Sequence, residues 1–528
     1  MSDTRTIKWD KVDQPVQGLK TDQKHALLVQ REAIPLVFIP GIMGTRLRVA
    51  GTDGKGKGAD GLPQLRWDPG DTFFLLVNFS GESAAHRKRL LVGDGNFSPG
   101  FLEVDDSNPV ADGFHGIFAD YLNYLKPLKQ RDWGPLRKIF EFPVYAVGYN
   151  WTDDNKNSGK KLASRINDIV NEAKSVVGLC EKVILITHSM GGLVSRAASE
   201  LQGAQGKILG IIHGVQPATG APVAYWRMKA GFERQGFFDI KGRIVSRILG
   251  NSGPTVTAVL GNLPGGLQLL PNKLFRTNPP TGSSSGNQAW LQVTGGRAED
   301  NRQLPKSDPY EEIYRVKAQV KPTPGEKPST NKYWGLVDPD LLDPGASQPA
   351  APKSGLSAVN SADVSTPPAG DPWQQYLNML KIAESFHDKL AKKCHPHTFC
   401  FRGVGHPTAD QVELQIESSW IAMDPYPKRG FRGFFTDASG RSMKAVLQDA
   451  AGDGDGTVPT SSASALDDSS RKPPGDLAIN VMHQPAYDDG KAQAYVVQAI
   501  LALVKLRYEE VRPPIGDFPE DSPGARTV

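Results

Sequence analysis

Val183-Ile184-Leu185-Ile186-Thr187-His188-Ser189-Met190-Gly191-Gly192-Leu193-Val194 is the stretch on which the reading of this chain turns. Its short apolar run lacks polar alternation, the pattern of a strand covered on both faces. The small residues after Ser189 let a helix turn back closely against that strand. The serine then stands clear at a sharp bend, with the first amides of the helix pointing at whatever sits beside its hydroxyl. Alone the pattern is weak. With 55 glycines in 528 residues a serine two before a glycine arises by chance, and Thr187 stands where G-x-S-x-G has its first glycine.

The flanking sequence supplies a sheet for that bend. Ala33-Ile34-Pro35-Leu36-Val37-Phe38-Ile39 reads as a strand and Gly51 to Gly61 as an exposed loop. His115 to Leu128 has helical spacing, and Pro143 to Gly148 is the next strand. Leu162, Ile166, Ile169, Val170, Ala173 and Val177 form one helical stripe, and Leu209 to Ile212 gives the strand after the serine. Strand and helix alternating in this way predict a mostly parallel sheet with helices on both faces.

A serine on such a bend resembles the nucleophile of the α/β-hydrolase fold, where an acid and then a histidine follow it in the chain. The acid candidate is Asp455 in Gly452-Asp453-Gly454-Asp455-Gly456-Thr457-Val458-Pro459, a loop able to bring a carboxylate close to other backbone. Asp453 is its rival. Only one of the ten histidines, His483, follows this loop. Its segment Ile479 to Pro485 leads from a short apolar stretch into a loop, where a histidine can reach across to a serine on another strand end. The oxyanion donors are expected from the backbone amides of Met190 and Ile42, with Met43 as the alternative to Ile42, because Pro40-Gly41-Ile42-Met43-Gly44-Thr45 turns at a strand end. A calcium loop at the paired aspartates lacks the EF-hand glycine and distal glutamate.

Together, Pro40 to Thr45, Gly148-Tyr149-Asn150-Trp151, Thr187 to Gly192, Leu263-Pro264-Gly265-Gly266-Leu267-Gln268-Leu269-Leu270-Pro271 and Gly454 to Pro459 resemble the lecithin:cholesterol acyltransferase and lysosomal phospholipase group, with its bacterial and GPI-deacylase relatives. The resemblance implies an α/β-hydrolase acting on fatty acyl esters of lipids through Ser189, Asp455 and His483, with a cap over the site. Asn150 replaces the family's aspartate and Thr187 its first elbow glycine. A narrower likeness, in the Thr-His-Ser-Met-Gly elbow and the Gly-Tyr-Asn-Trp strand end, is to lipase effectors of bacterial type VI secretion. It implies a toxin against membrane phospholipids, an immunity protein in the producer and a partner in the secretion apparatus.

The long separation of Ser189 from Asp455 calls for an insertion. The expected division is an N-terminal extension over residues 1–30, core over 31–222, a cap or lid over 223–395, core again over 396–510, and a tail over 511–528. Ile240, Ile244 and Ile248 share a helical face beside Lys241, Arg243 and Arg247, which suits a lid on an anionic lipid surface or a cap helix packed on the core. Arg276 to Gly370 is rich in Pro, Ser and Gly, with Ser347 to Gly370 read as a mobile loop. Asp371-Pro372 caps a helix with Trp373, Leu377, Leu380 and Leu390 inward, the sheet resumes near Thr398, and Tyr487 to Leu506 is the closing helix.

Bulk properties narrow the class. A net charge of +4 from 61 basic and 57 acidic residues argues against a nucleic-acid surface. Met1 to Lys20 has no apolar signal region and no apolar run approaches a membrane span, so cytoplasmic synthesis is expected, with export by a route the sequence does not display. Cys180, Cys394 and Cys400 make no disulfide framework. Cys394-His395-Pro396-His397-Thr398-Phe399-Cys400 invites zinc, but strand alternation would point its ligands apart, so no metal and no cofactor is expected. The expected activity is serine hydrolysis of glycerophospholipid acyl esters. Triacylglycerol or general carboxylester hydrolysis, acyl transfer, peptidase activity and an inactive binding module are the alternatives.

Overall fold

The computed structural model describes residues 3–8, 25–94, 98–105, 128–232, 250, 252–280, 285–295, 301–318, 332–344, 370–418, 432–436, 442–447, 452–467 and 475–511. Six parallel strands form the central sheet, in the spatial order Leu477–Ile479, Thr398–Gly403, Ile208–Gly214, Val183–His188, Leu36–Ile39, Val144–Ala146. The chain lays Val144–Ala146 on one side of Leu36–Ile39 and every later strand on the other. The reversal falls between Leu36–Ile39 and Val183–His188, and the crevice beyond the carboxyl ends of strands at such a reversal is where open α/β sheets bind ligands.

Strand alternation divides the core into two halves. Val37, Ile39, Val183, Leu185 and Ile211 belong to one cluster, with Leu162, Ile166, Ile169, Val170 and Ala173 of helix Asn155–Val177. Leu36, Phe38, Ile184, Ile186 and Ile212 belong to the other, with Tyr495, Val496, Ile500 and Leu503 of helix Gly490–Val511. Side chains two apart share a face, so uninterrupted apolar strands need helices on both sides. Helix Asn155–Val177 is held at its start by Asp154, which accepts from the Lys156 amide, and ends at Gly178 with φ 94°. A buried ion pair joins the two ends of this core: Arg507 of the closing helix donates to Glu32 at 3.1 Å. The closing helix begins at Gly490 rather than Tyr487, because Asp489 accepts from the amides of Lys491 and Ala492.

The segment after Ile208–Gly214 carries helices Pro222–Ala230, Gly253–Leu260 and Pro372–Leu390. In the last, Leu380 and Leu390 are buried with Tyr376, Ala383, Phe386 and His387, whereas Trp373 and Leu377 are only half-buried. The Pro-, Ser- and Gly-rich region also contains strands Leu291–Gly295 and Arg302–Leu304. They join Val412–Ser418, Ser442–Leu447 and Arg432–Thr436 in a second, mixed sheet, so this sheet draws its strands from both sides of Thr398–Gly403. The Ile240, Ile244 and Ile248 face, the His115 helix up to residue 127, and residues 345–369 of the proposed mobile loop lie outside the described residues.

Two sequence motifs prove to be joints between segments. Gly265 packs so tightly on the Trp151 carbonyl that an added Cβ would lie 2.3 Å from its oxygen. Gln268 accepts from the Asn155 amide at 2.8 Å and donates to Asp154 at 2.6 Å, fastening the segment after Ile208–Gly214 to the start of helix Asn155–Val177. Asn150 donates its side-chain amide to the Leu102 carbonyl at 2.7 Å while its Oδ1 accepts from Thr152. An aspartate has no N–H to give that carbonyl, which accounts for asparagine at this position.

Candidate active site

Ser189 follows the fully buried strand Val183–His188 and precedes helix Gly191–Leu201. Its φ is 52°, a left-handed conformation that costs a non-glycine residue about 1–3 kcal/mol and survives only where its surroundings enforce it. Here the Ser189 amide donates to the Gly214 carbonyl and the Ser189 carbonyl accepts from the Gly192 amide, both at 3.0 Å. Gly191 must be glycine, since a Cβ there would meet the carbonyl oxygens of Pro40 and Ile39 at 2.4 and 2.6 Å. Thr187 fits the place of the missing elbow glycine because its hydroxyl reaches His213 Nδ1 at 2.9 Å.

Three sequence candidates meet in one hydrogen-bonded line. His483 Nε2 lies 2.9 Å from Ser189 Oγ, and His483 Nδ1 lies 2.7 Å from Asp455 Oδ2. A carboxylate only accepts, so Nδ1 carries the proton and Nε2 is left to accept from the serine hydroxyl. Asp455 is buried, and its Oδ1 accepts from the amides of Thr457 at 2.9 Å and Val458 at 2.6 Å. The Asp455 carbonyl also takes the His483 backbone amide at 2.8 Å. Asp453 is exposed and turned elsewhere, accepting from the Gly405 amide and the Thr460 hydroxyl. The acid loop closes through Gly456, whose φ of 86° is open to glycine.

Beside this line runs the Pro40–Thr45 turn, held by the Gly44 amide donating to the Gly41 carbonyl at 3.2 Å. Met43 has φ 65°, and its carbonyl accepts from the Trp67 indole at 2.7 Å. Among the described residues the amides of Ile42, Met43 and Met190 donate to no other protein group. A cavity of about 20 Å3 adjoins Met43, between Trp67, Phe79 and Leu91 on one hand and Phe232, Val256 and Leu260 on the other.

His188 was not singled out from the sequence for a role, yet it packs between the Pro40–Thr45 turn and the His483 backbone. Its ring is buried, its Nε2 donates to the His483 carbonyl at 2.9 Å, and a Cβ on Gly41 would meet its Nδ1 at 2.8 Å. Burial pulls its pKa down to about 3, so the ring is neutral at ordinary pH. The cysteine and histidine segment near Cys394 builds strand Thr398–Gly403, with His397 Nδ1 donating to the Leu209 carbonyl at 3.0 Å. No group of three metal-ligating side chains occurs among the described residues.

Sheet order, reversal point and strand-to-serine bend define an α/β-hydrolase fold. Comparisons agree. The PGAP1-like alpha/beta domain family matches residues 153–234, the part holding the bend. A chain in the crystal structure of the Tle4-Tli4 complex superposes with a TM-score of 0.62 at 22% identity, over 90% of this chain and 99% of that one. Phospholipase PlaB from Legionella pneumophila aligns with 63% of this chain and 76% of its own at 12% identity, but its TM-score of 0.17 carries no argument. A search of curated proteins returned no match.

Proposed function

We propose that this chain is a serine ester hydrolase that cleaves fatty acyl esters of membrane glycerophospholipids, in the manner of a phospholipase A. The observation that carries the reading is the line Asp455–His483–Ser189 at the reversal point of the sheet, flanked by the Pro40–Thr45 turn and the start of helix Gly191–Leu201. In the proposed reaction His483 Nε2 takes the Ser189 proton as Oγ bonds to the ester carbonyl carbon. Asp455 stabilises the imidazolium, and the amides of Met190 and Ile42 hold the oxyanion. The imidazolium then gives its proton to the departing lysolipid oxygen as the C–O bond breaks, leaving an acyl ester on Ser189. Water, deprotonated by His483, attacks that ester, and Ser189 leaves with the proton as the fatty acid is released.

The lipid part of the reading is supported by the apolar walls around Met43 and by the motif blocks shared with lipid acyl hydrolases. In this reading the segment bearing Phe232 and Val256 to Leu260, which walls the small cavity beside Met43, moves aside for a lipid to enter. We further propose delivery as an antibacterial effector and restraint by an immunity protein, a reading that accords with a structural neighbour solved in complex with Tli4. The test is release of fatty acid and lysolipid from phosphatidylethanolamine and phosphatidylglycerol vesicles, comparing wild type with Ser189→Ala. Release that vanishes in the variant supports the reading. Turnover of short soluble esters without phospholipids sinks the membrane-lipid part alone.

A further inference from the structure

The amino ends of the central strands carry a second concave feature. Arg31 precedes strand Leu36–Ile39, Phe142 and Pro143 lead into Val144–Ala146, and Val176 and Val177 close helix Asn155–Val177. Parallel pairing puts all of these at the edge of the sheet opposite Ser189. With Lys129, Arg131, Trp133 and Arg137 they enclose a groove of about 380 Å3.

Among the described residues four cations line this groove against a single carboxylate, Glu141, which is already engaged by Arg31. Arg131 lies over the Trp133 ring, 5.3 Å from its centroid, which holds the guanidinium in the groove. Lys129 and Arg137 are exposed, and neither has a carboxylate partner among the described residues. Val176 adds an apolar contact, the residue being 84% exposed. The concave lining offers one ligand both opposite charge and an apolar contact at the same place. A bilayer, being flat, would meet only the rim.

We propose that this groove binds an acidic, amphipathic segment of a partner protein, whose carboxylates pair with Lys129 and Arg137 and whose aliphatic side chains cover Val176 and Pro143. The inference does not depend on the reaction at Ser189. Guanidinium forks favour carboxylates in such a setting, and complementary charge speeds and orients the encounter.

The test uses the full chain and a fluorescein-labelled peptide alternating glutamate and leucine, followed by anisotropy. Binding is expected to weaken about tenfold in the Lys129→Glu/Arg137→Glu double variant, to weaken in Val176→Asp and to fall with added salt. Unchanged thermal melting of these variants separates lost binding from a folding defect. Three results would overturn the proposal. An all-glutamate peptide that binds as tightly would mean that charge alone is read. Retained binding in the double variant would place the peptide elsewhere. Phosphatidylglycerol vesicles that bind the wild type, displace the peptide and lose affinity for the double variant would make a lipid surface the occupant.

Discussion

His188 donates its Nε2 hydrogen to the carbonyl oxygen of His483 at 2.9 Å, so the residue next to Ser189 holds the backbone of the histidine that faces Ser189. The tether fixes where the His483 ring starts its reach, and misplacement of a reacting group by an ångström is costly. His188→Phe keeps a ring but gives up the donor. It is expected to lower kcat on a soluble ester about 10- to 100-fold with little change in KM, and His188→Gln should restore part of the loss. Steady-state kinetics of the three proteins decide it, and a lowered melting temperature with unchanged kcat would reduce His188 to packing.

The two aspartates of the acid loop separate cleanly by mutation. Asp455→Asn removes the partner that holds His483 in its Nδ1–H form, and kcat is expected to drop by about 10^3- to 10^4-fold. Asp453→Asn should stay within about threefold, because that carboxylate meets Gly405 and Thr460 rather than the imidazole. The two single variants assayed side by side give the answer, and equal losses would contradict the assignment.

Restoring the relatives' aspartate at Asn150 should do harm. Asn150→Asp would set a carboxylate oxygen against the buried Leu102 carbonyl, and a cost of about 1–3 kcal/mol is expected at neutral pH. Urea denaturation of both proteins measures it. A variant of equal or greater stability would show that the Asn150 to Leu102 bond has no value.

Two of the buried histidines should make the protein acid-sensitive. Burial pulls His188 down to about 3 and His387 to about 4, both below the unfolded value near 6.5. Below that value the unfolded chain takes up protons that the folded chain refuses, so stability falls as pH falls. Each histidine should contribute a slope approaching about 1.4 kcal/mol per pH unit. Urea midpoints at pH 7, 6 and 5, above most carboxylate titrations, should decline steadily, and a flat series would mean that both rings protonate in the folded state.

The central sheet was legible because its strands are uninterrupted apolar runs. Val183 to Ile186 and Leu209 to Ile212 cannot sit on a half-exposed sheet, and the stripe from Leu162 to Val177 has one buried side. The second sheet was not legible. Leu291–Gly295 lies in a region dominated by loop-forming residues, and apart from its neighbour Arg302–Leu304 the strands of its sheet come from beyond Thr398, so no local pattern joins them. Serine, aspartate and histidine could be sought by chain order, whereas the His188 tether and the Thr187 to His213 bond depend on contacts that order does not encode. The Leu477–Ile479 strand, three residues long, gave little periodicity to read.

That short strand has a consequence for when reactivity begins. It pairs with Thr398–Gly403 at the rim of the sheet, and His483 hangs from its end. On the triad reading, a growing chain in which every other strand has formed still carries an unassisted serine. Only when the rim strand docks does the hydroxyl gain its base, so a cell making this protein meets no reactive serine until synthesis has passed His483 and its segment has folded into place.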